Sequence, residues 1–342
     1  MENKQNCQFK WPIAGHSNIV SYLQKNIETN KVSQAYLFTG PNGLGKKMVA
    51  QYFVRSLLCE NNAKKENQIP CAQCKTCQQV NNNIHPDIYW LTRQKDEKKD
   101  KLKKNISIEQ IRELQGKLGL HSFLNSYKIA VIEEAETLNK EAANSLLKTL
   151  EEPTKKTVII LLTSNLNYLP QTIISRCQVL RFLPVNNKEI IEFLKSQGSE
   201  LKKAKQLSSV SFGRPGIALS YLTNQEVYED FLQQIKNFMS LAESDINSRF
   251  KLLNDFVEFN NPGKIKEVFN IWNRIIRDLF FIKIKADNLV SSQNLLKSLS
   301  SIADKYSRQE LSRLMKEVNI SKKYIDSNVN PRLVLENLVL NF

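Results

Sequence analysis

The sequence predicts an α/β fold, a parallel sheet covered by helices on both faces, followed by segments that are helical throughout. Three observations carry this reading. Near-continuous runs of Val, Ile and Leu alternate with helical patterns in the first half of the chain. A glycine-rich stretch stands between an apolar run and a helical pattern, as a phosphate-cradling loop requires. After Pro184 the strand-like runs disappear.

In chain order, "VSQAYLFTGP" predicts a strand over Ala35 to Thr39 that ends in Gly-Pro, and a helical pattern follows from Lys46 to Leu58. The charge run "RQKDEKKDKLKK", Arg93 to Lys104, reads as a surface loop. "YKIAVIEEAE" predicts a second buried strand over Lys128 to Ile132 with acids at its C-terminal end. Asn139 to Glu152 reads as a helix stopped by Pro153. Thr157 to Thr163 is the third strand and "CQVLRF" the fourth. "NKEIIEFLKSQ", "ELKKAKQLSSV" and "RPGIALSYL" then suggest a compact helical unit, and helical patterning continues from about Asn224 to Phe342. The expected boundaries are 1–184, 185–223 and 224–342, and no internal repeat is evident.

The 342 residues suffice for two or three domains with real cores, and 41% hydrophobic against 24% charged residues is a globular composition. No run approaches eighteen uncharged apolar residues, which argues against a membrane span. The polar start "MENKQNCQFK" is unlike an export signal, so the expected setting is the cytoplasm. With 49 basic and 34 acidic residues the net charge is +15, which favours a polyanionic neighbour such as nucleic acid. The lysines are scattered, however, and a solvated basic surface explains them equally well.

In "FTGPNGLGKKMVA" the pattern G-x-x-x-x-G-K-[ST] is met at Gly40, Gly45 and Lys46, but Lys47 stands where the hydroxyl belongs. Gly43 and Gly45 let backbone N–H groups close around phosphate oxygens, and Lys46 can reach the terminal phosphates. The missing hydroxyl is a direct magnesium ligand. An ammonium has donors only and repels the metal. In "IAVIEEAE", Glu133 occupies the place of a magnesium-binding Asp and Glu134 that of a water-activating Glu. The extra methylene of Glu133 displaces its carboxylate from a site that demands tight octahedral geometry. Glu134 and Glu136 also suit a solvated helix start. Two altered magnesium positions predict relaxed selection for hydrolysis, and the residues leave the retention of ATP or ADP open.

Cys59, Cys71, Cys74 and Cys77 supply four thiolates at short spacing, the pattern of a closed structural zinc site, with an iron–sulfur cluster as the alternative. Disulfides are not expected in a chain without export signals. Cys7 and Cys177 are left over as ordinary thiols. Finally, Ser175–Arg176–Cys177 falls between a helix and a strand at the edge of the fold. An Arg there can reach a neighbouring subunit's γ-phosphate, although taken alone it reads more simply as a surface Arg paired with an acid.

Together these features resemble the bacterial clamp-loader AAA+ family. The resemblance runs through "AYLFTGPNGLGKK", the four cysteines, "HPDIYWL", "ISIEQIREL", "KIAVIEEAETLNKEAANSLLKTLEEP", "VIILLTSNLNYLPQTIISRCQVLRF" and "GRPGIAL", most of the first 220 residues. It implies a RecA-like AAA+ domain with a zinc insert, a small helical lid and an all-α collar that assembles a five-subunit ring. Such a ring opens a sliding clamp and places it on primed DNA. Within the family Arg176 looks like a finger offered in trans, and Thr163 or Ser164 matches the first sensor. Gly216 stands where an ATPase lid has its second-sensor Arg, with Arg214 offset, and Gln34 replaces a His common before "AYLF". The expectation is a subunit that supplies the finger without hydrolysing ATP itself.

Two rivals lack support. An active tau/gamma-type ATPase of the same ring needs Ser or Thr at 47, Asp at 133 and the second-sensor Arg. A phosphate-loop kinase needs intact magnesium ligands and would not carry a collar-like helical third. A zinc-dependent DNA-binding protein is a third possibility, but the cysteine cluster lacks a basic recognition helix.

Overall fold

The computed structural model describes residues 8–64, 68–96, 101–120, 122, 127–152, 154, 156–256, 262–291, 296–327 and 329–342. Cys7, Pro153 and the middle of the charge run, 97–100, lie outside the described residues.

The strands in chain order are β1 Gln8–Phe9, β2 Ala35–Thr39, β3 Gln68–Ile69, β4 Ile88–Leu91, β5 Lys95–Asp96, β6 Lys101–Leu102, β7 Lys128–Ile132, β8 Thr157–Thr163 and β9 Gln178–Arg181. Five of them form one parallel sheet in the order β4-β7-β8-β2-β9. Strand β2 lies inside this sheet, in register with β8 from Ala35↔Ile159 to Thr39↔Thr163 and with β9 from Tyr36↔Gln178 to Thr39↔Arg181. The phosphate loop leaves the C-terminal end of β2, where open α/β sheets bind their ligands.

All five residues of β2 and of β7 are buried, which explains their near-continuous apolar runs. Side chains alternate between the faces. Tyr36, Phe38, Ile129 and Val131 join Leu23, Val49 and Phe53 in one core, beneath helices Ser17–Glu28 and Lys46–Leu58. Leu37, Ala130 and Ile132 join Ile111, Leu114 and Leu146 in the other, under helices Ile108–Gly119 and Lys140–Glu151. The predicted helix over 139–152 is realised as Lys140–Glu151. Asn139 caps it, its side chain accepting from the Ala142 N–H at 2.8 Å.

Strand β4 is a sheet edge that the apolar runs do not reveal, because its residues are only half-buried and two of its four are aromatic. The charge run is not loop throughout, since β5 and β6 pair antiparallel within it. The remaining pair, β1 with β3, ties Gln8–Phe9 to the segment just before Cys71.

The chain divides into two compact units, 1–197 with 213–217, and 198–212 with 218–342. Among the described residues every regular element of the second is a helix. Helices Gln225–Glu243, Pro262–Lys283 and Arg308–Asp326 are its longest, and Trp272, Phe238 and Phe269 are fully buried in it. Asp278, also fully buried, accepts from the Ser291 N–H at 3.1 Å and pairs with Arg277 at 3.0 Å, so its charge is compensated. Among the described residues no helix is long and apolar enough to cross a membrane.

Candidate functional site

The loop after β2 closes on a cleft of about 470 Å3 lined by Gly43, Gly45, Lys46, Lys47, Glu133 and Thr163, among others. Glu134 lines it too. The sequence-predicted nucleotide residues are thus brought together, Gly40 excepted, which precedes the cleft at the end of β2. Gly43 and Gly45 have φ of +84° and +89°, left-handed values natural to glycine. At Gly43 space is limiting as well, since a Cβ would stand 2.6 Å from Ile217 Cγ1.

The charges of the cleft are mostly matched by the chain itself. Lys47 Nζ lies 2.7 Å from Glu133 Oε1 and sits over the Trp90 ring at 5.8 Å from its centroid. Lys47 and Glu133 therefore pair with each other, an ammonium standing against a carboxylate. Glu134 adopts φ +50° and is paired with Arg93 Nε at 2.6 Å. Thr163 Oγ1 donates to the Asn165 carbonyl at 3.1 Å, and Glu136 Oε1 accepts from the Ser164 N–H at 3.0 Å and from its hydroxyl.

Lys46 is buried and donates to the carbonyls of Gly40 and Pro41, the latter at 3.0 Å. Burial, reinforced by the Arg214 charge and opposed by Glu136, lowers its pKa from 10.5 to about 8. Arg93, Trp90 and Glu136 were not singled out as site residues by sequence reasoning. No spacing rule joins position 93 to 134, and only the parallel pairing of β4 with β7 does so.

Arg176 follows the short helix Gln171–Ile174 and precedes β9. It is not part of the cleft lining. Its Nη1 donates to the Thr172 carbonyl at 3.0 Å and its Nη2 lies 2.6 Å from Glu151 Oε1, so within the chain it is a surface Arg paired with an acid.

The four cysteines converge as expected. Cys59 ends helix Lys46–Leu58, Cys71 follows β3, and Cys74 and Cys77 lie at the cap and in the first turn of helix Lys75–Asn81. Their sulfurs all lie within 4.8 Å of one another, and tetrahedral zinc with bonds of about 2.3 Å would place them roughly 3.8 Å apart. The Cys71, Cys74 and Cys77 N–H groups donate to the sulfurs of Cys59, Cys71 and Cys74 at 3.4, 3.3 and 3.4 Å, stabilising thiolate charge. A side-chain hydrogen bond from the Cys77 thiol, helped by the Cys71 amide, lowers the Cys59 thiol, while giving that bond pushes the Cys77 thiol up. An all-sulfur, inward-facing quartet of this size can hold a metal ion. Phe9 packs against it, so the β1–β3 pair is part of the same module.

Comparison with known proteins agrees with this picture. Family models described as "DNA polymerase III, delta subunit" and "DNA polymerase III, delta subunit, C terminal" match residues 15–186 and 225–342. The DNA polymerase III subunit delta' of Bacillus subtilis (strain 168) is 30% identical over 324 residues, 94% of this chain and 94% of that protein. The chain belongs to the DNA polymerase III delta-prime family. The delta' subunit of Haemophilus influenzae is 33% identical over 60% of this chain and 58% of its own length. The Bacillus subtilis tau subunit is 32% identical over 52% of this chain and only 30% of its own length. A solved gamma-subunit-related protein of Thermotoga maritima covers 93% of this chain at 18% identity with a TM-score of 0.42, too loose a likeness to carry any argument.

Proposed function

We propose that this chain is the delta-prime subunit of a DNA polymerase III clamp loader, a member of the ring that does not itself hydrolyse ATP. The observation that carries the reading is the Lys47–Glu133 ion pair, 2.7 Å long, at the positions that otherwise hold magnesium. ATP hydrolysis in this class of fold would need a divalent cation to offset charge on the phosphates. With Lys47 paired to Glu133, Glu134 to Arg93 and Gly216 at the second-sensor place, neither cation nor attacking water has its usual partners. The loop keeps its shape as scaffold, and any ATP or ADP it holds is bound without turnover.

The contribution to catalysis is Arg176, offered in trans to the adjacent ATPase subunit, where a finger is worth roughly a thousandfold or more in rate. The partners in this reading are tau/gamma and delta subunits in a hetero-pentamer. Through the ring the chain acts on the sliding clamp and on primer–template DNA, in the cytoplasm. A lid over 185–223 and a collar over 224–342 complete the subunit, the collar joining the ring. Cys59, Cys71, Cys74 and Cys77 hold a structural zinc ion, which staples the segment after helix Lys46–Leu58 to the fold and does no chemistry on substrate.

The test is the ATPase of the purified chain beside that of the reconstituted ring with and without it. The expected result is negligible turnover by the chain alone and full ring activity only in its presence. Appreciable turnover by the chain alone, abolished by Lys46→Ala, contradicts the proposal.

A further inference from the structure

We propose that Glu151 is a positioning residue that restrains Arg176, holding the finger against its own subunit and lowering the rate at which it serves a neighbour. This rests on the finger role proposed above. Glu151 is the last residue of helix Lys140–Glu151, and its Oε1 is 2.6 Å from Arg176 Nη2. On the other side, Arg176 Nη1 donates to the Thr172 carbonyl at 3.0 Å. Both terminal nitrogens of the guanidinium are therefore engaged by acceptors of the same chain.

The electrostatics act in one direction. The C-terminus of the helix carries the negative end of its dipole, and the Glu151 carboxylate adds a full negative charge there. A finger works by placing positive charge beside the γ-phosphate as charge develops in the transition state. A carboxylate held against the guanidinium cancels part of that field, and swinging away from it breaks a charge-assisted contact. The restraint is weak by construction. The Arg176 and Glu151 side chains are 36% and 49% exposed, and exposed ion pairs shift equilibria severalfold rather than by orders of magnitude. A contact of that strength can be released when a neighbouring subunit with bound nucleotide offers a better anion.

The experiment compares reconstituted rings carrying wild-type chain, Glu151→Gln, Glu151→Ala, Glu151→Asp and Arg176→Ala. Glu151→Gln keeps the shape and removes the charge, so kcat of the ring ATPase should rise roughly two- to fivefold, the range an exposed ion pair can restrain. KM for ATP should stay unchanged, because the finger acts on the transition state. Glu151→Ala should behave like Glu151→Gln, and Glu151→Asp, which restores the charge, should return kcat towards wild type. A merely structural role for Glu151 would not give a raised kcat reversed by aspartate. A lowered or unchanged kcat in both Glu151→Gln and Glu151→Ala, with Arg176→Ala slow, overturns the restraint while leaving the finger in place. Unchanged activity in Arg176→Ala overturns the finger reading and the restraint with it.

Discussion

Replacing Lys47 by Ser restores the missing hydroxyl and removes the ammonium that faces Glu133. The Lys47 side chain is 55% exposed and that of Glu133 20%, so their ion pair is worth up to about 1 kcal/mol. The contact with Trp90, 5.8 Å from the ring centroid, adds about 0.5–1 kcal/mol. A divalent cation held at Glu133 would be repelled by the ammonium, at a cost on the order of several kcal/mol for charges a few ångströms apart at a surface-like dielectric. That repulsion exceeds what the pair holds, so Lys47 must leave before a cation can bind. Losing its contacts costs about 1–2 kcal/mol, about a tenfold bias against metal. Calorimetric titration with ATP, in magnesium and in EDTA, measures this bias. Lys47→Ser should raise the ratio of Mg-ATP to metal-free ATP affinity about tenfold while lowering the stability towards urea by about 1–2 kcal/mol, the worth of the contacts it removes. A ratio that the substitution leaves unmoved, or a variant that still fails to take up Mg-ATP, refutes the reasoning.

Other expectations concern the buried lysine, the cysteines and the core. Because the pKa of Lys46 is lowered from 10.5 to about 8, the folded chain binds fewer protons than the unfolded chain between those values. The penalty of burying its charge is present below that window and is relieved as pH rises through it, so wild type should gain stability relative to Lys46→Met. An equal gap between the two in urea melts at about pH 7.5 and about pH 9.5 would contradict this. Elemental analysis should find about one zinc per chain, lost in Cys77→Ser, and iron with visible absorbance would reverse the metal assignment. Phe53 is fully buried, its ring centred 5.2 Å from that of Tyr36, and Phe53→Ala should cost about 3–5 kcal/mol in urea unfolding.

The buried strands β2, β7 and β8 were legible with correct bounds because each has a near-continuous apolar run buried on both faces. Helix Lys46–Leu58 was equally clear, since a glycine loop fixes its start and Cys59 leaves the helical region. The edge strand β4 was not, because its half-buried Ile88–Leu91 mixes aromatics with aliphatics and carries no period of its own. The two-residue strands are shorter than any pattern can detect.

At the site, sequence reasoning named Lys47 and Glu133 as separate departures from a magnesium-binding pattern. That they form a pair depends on β2 and β7 lying two places apart in the sheet with β8 between them, which is a tertiary fact. The same holds for Arg93 with Glu134 and for Glu151 with Arg176, partners 41 and 25 positions apart. The cysteines were easier, because their short spacing alone brings three of the four together.

The central claim is that this subunit lends positive charge to a neighbour while its own pocket stays idle. It is tested most directly by the steady-state ATPase of the reconstituted ring carrying either Arg176→Ala or Lys46→Ala in this chain alone. The account predicts a large loss with Arg176→Ala and wild-type hydrolysis with Lys46→Ala. The reverse, with Lys46→Ala slowing the ring and Arg176→Ala leaving it unaffected, would contradict it.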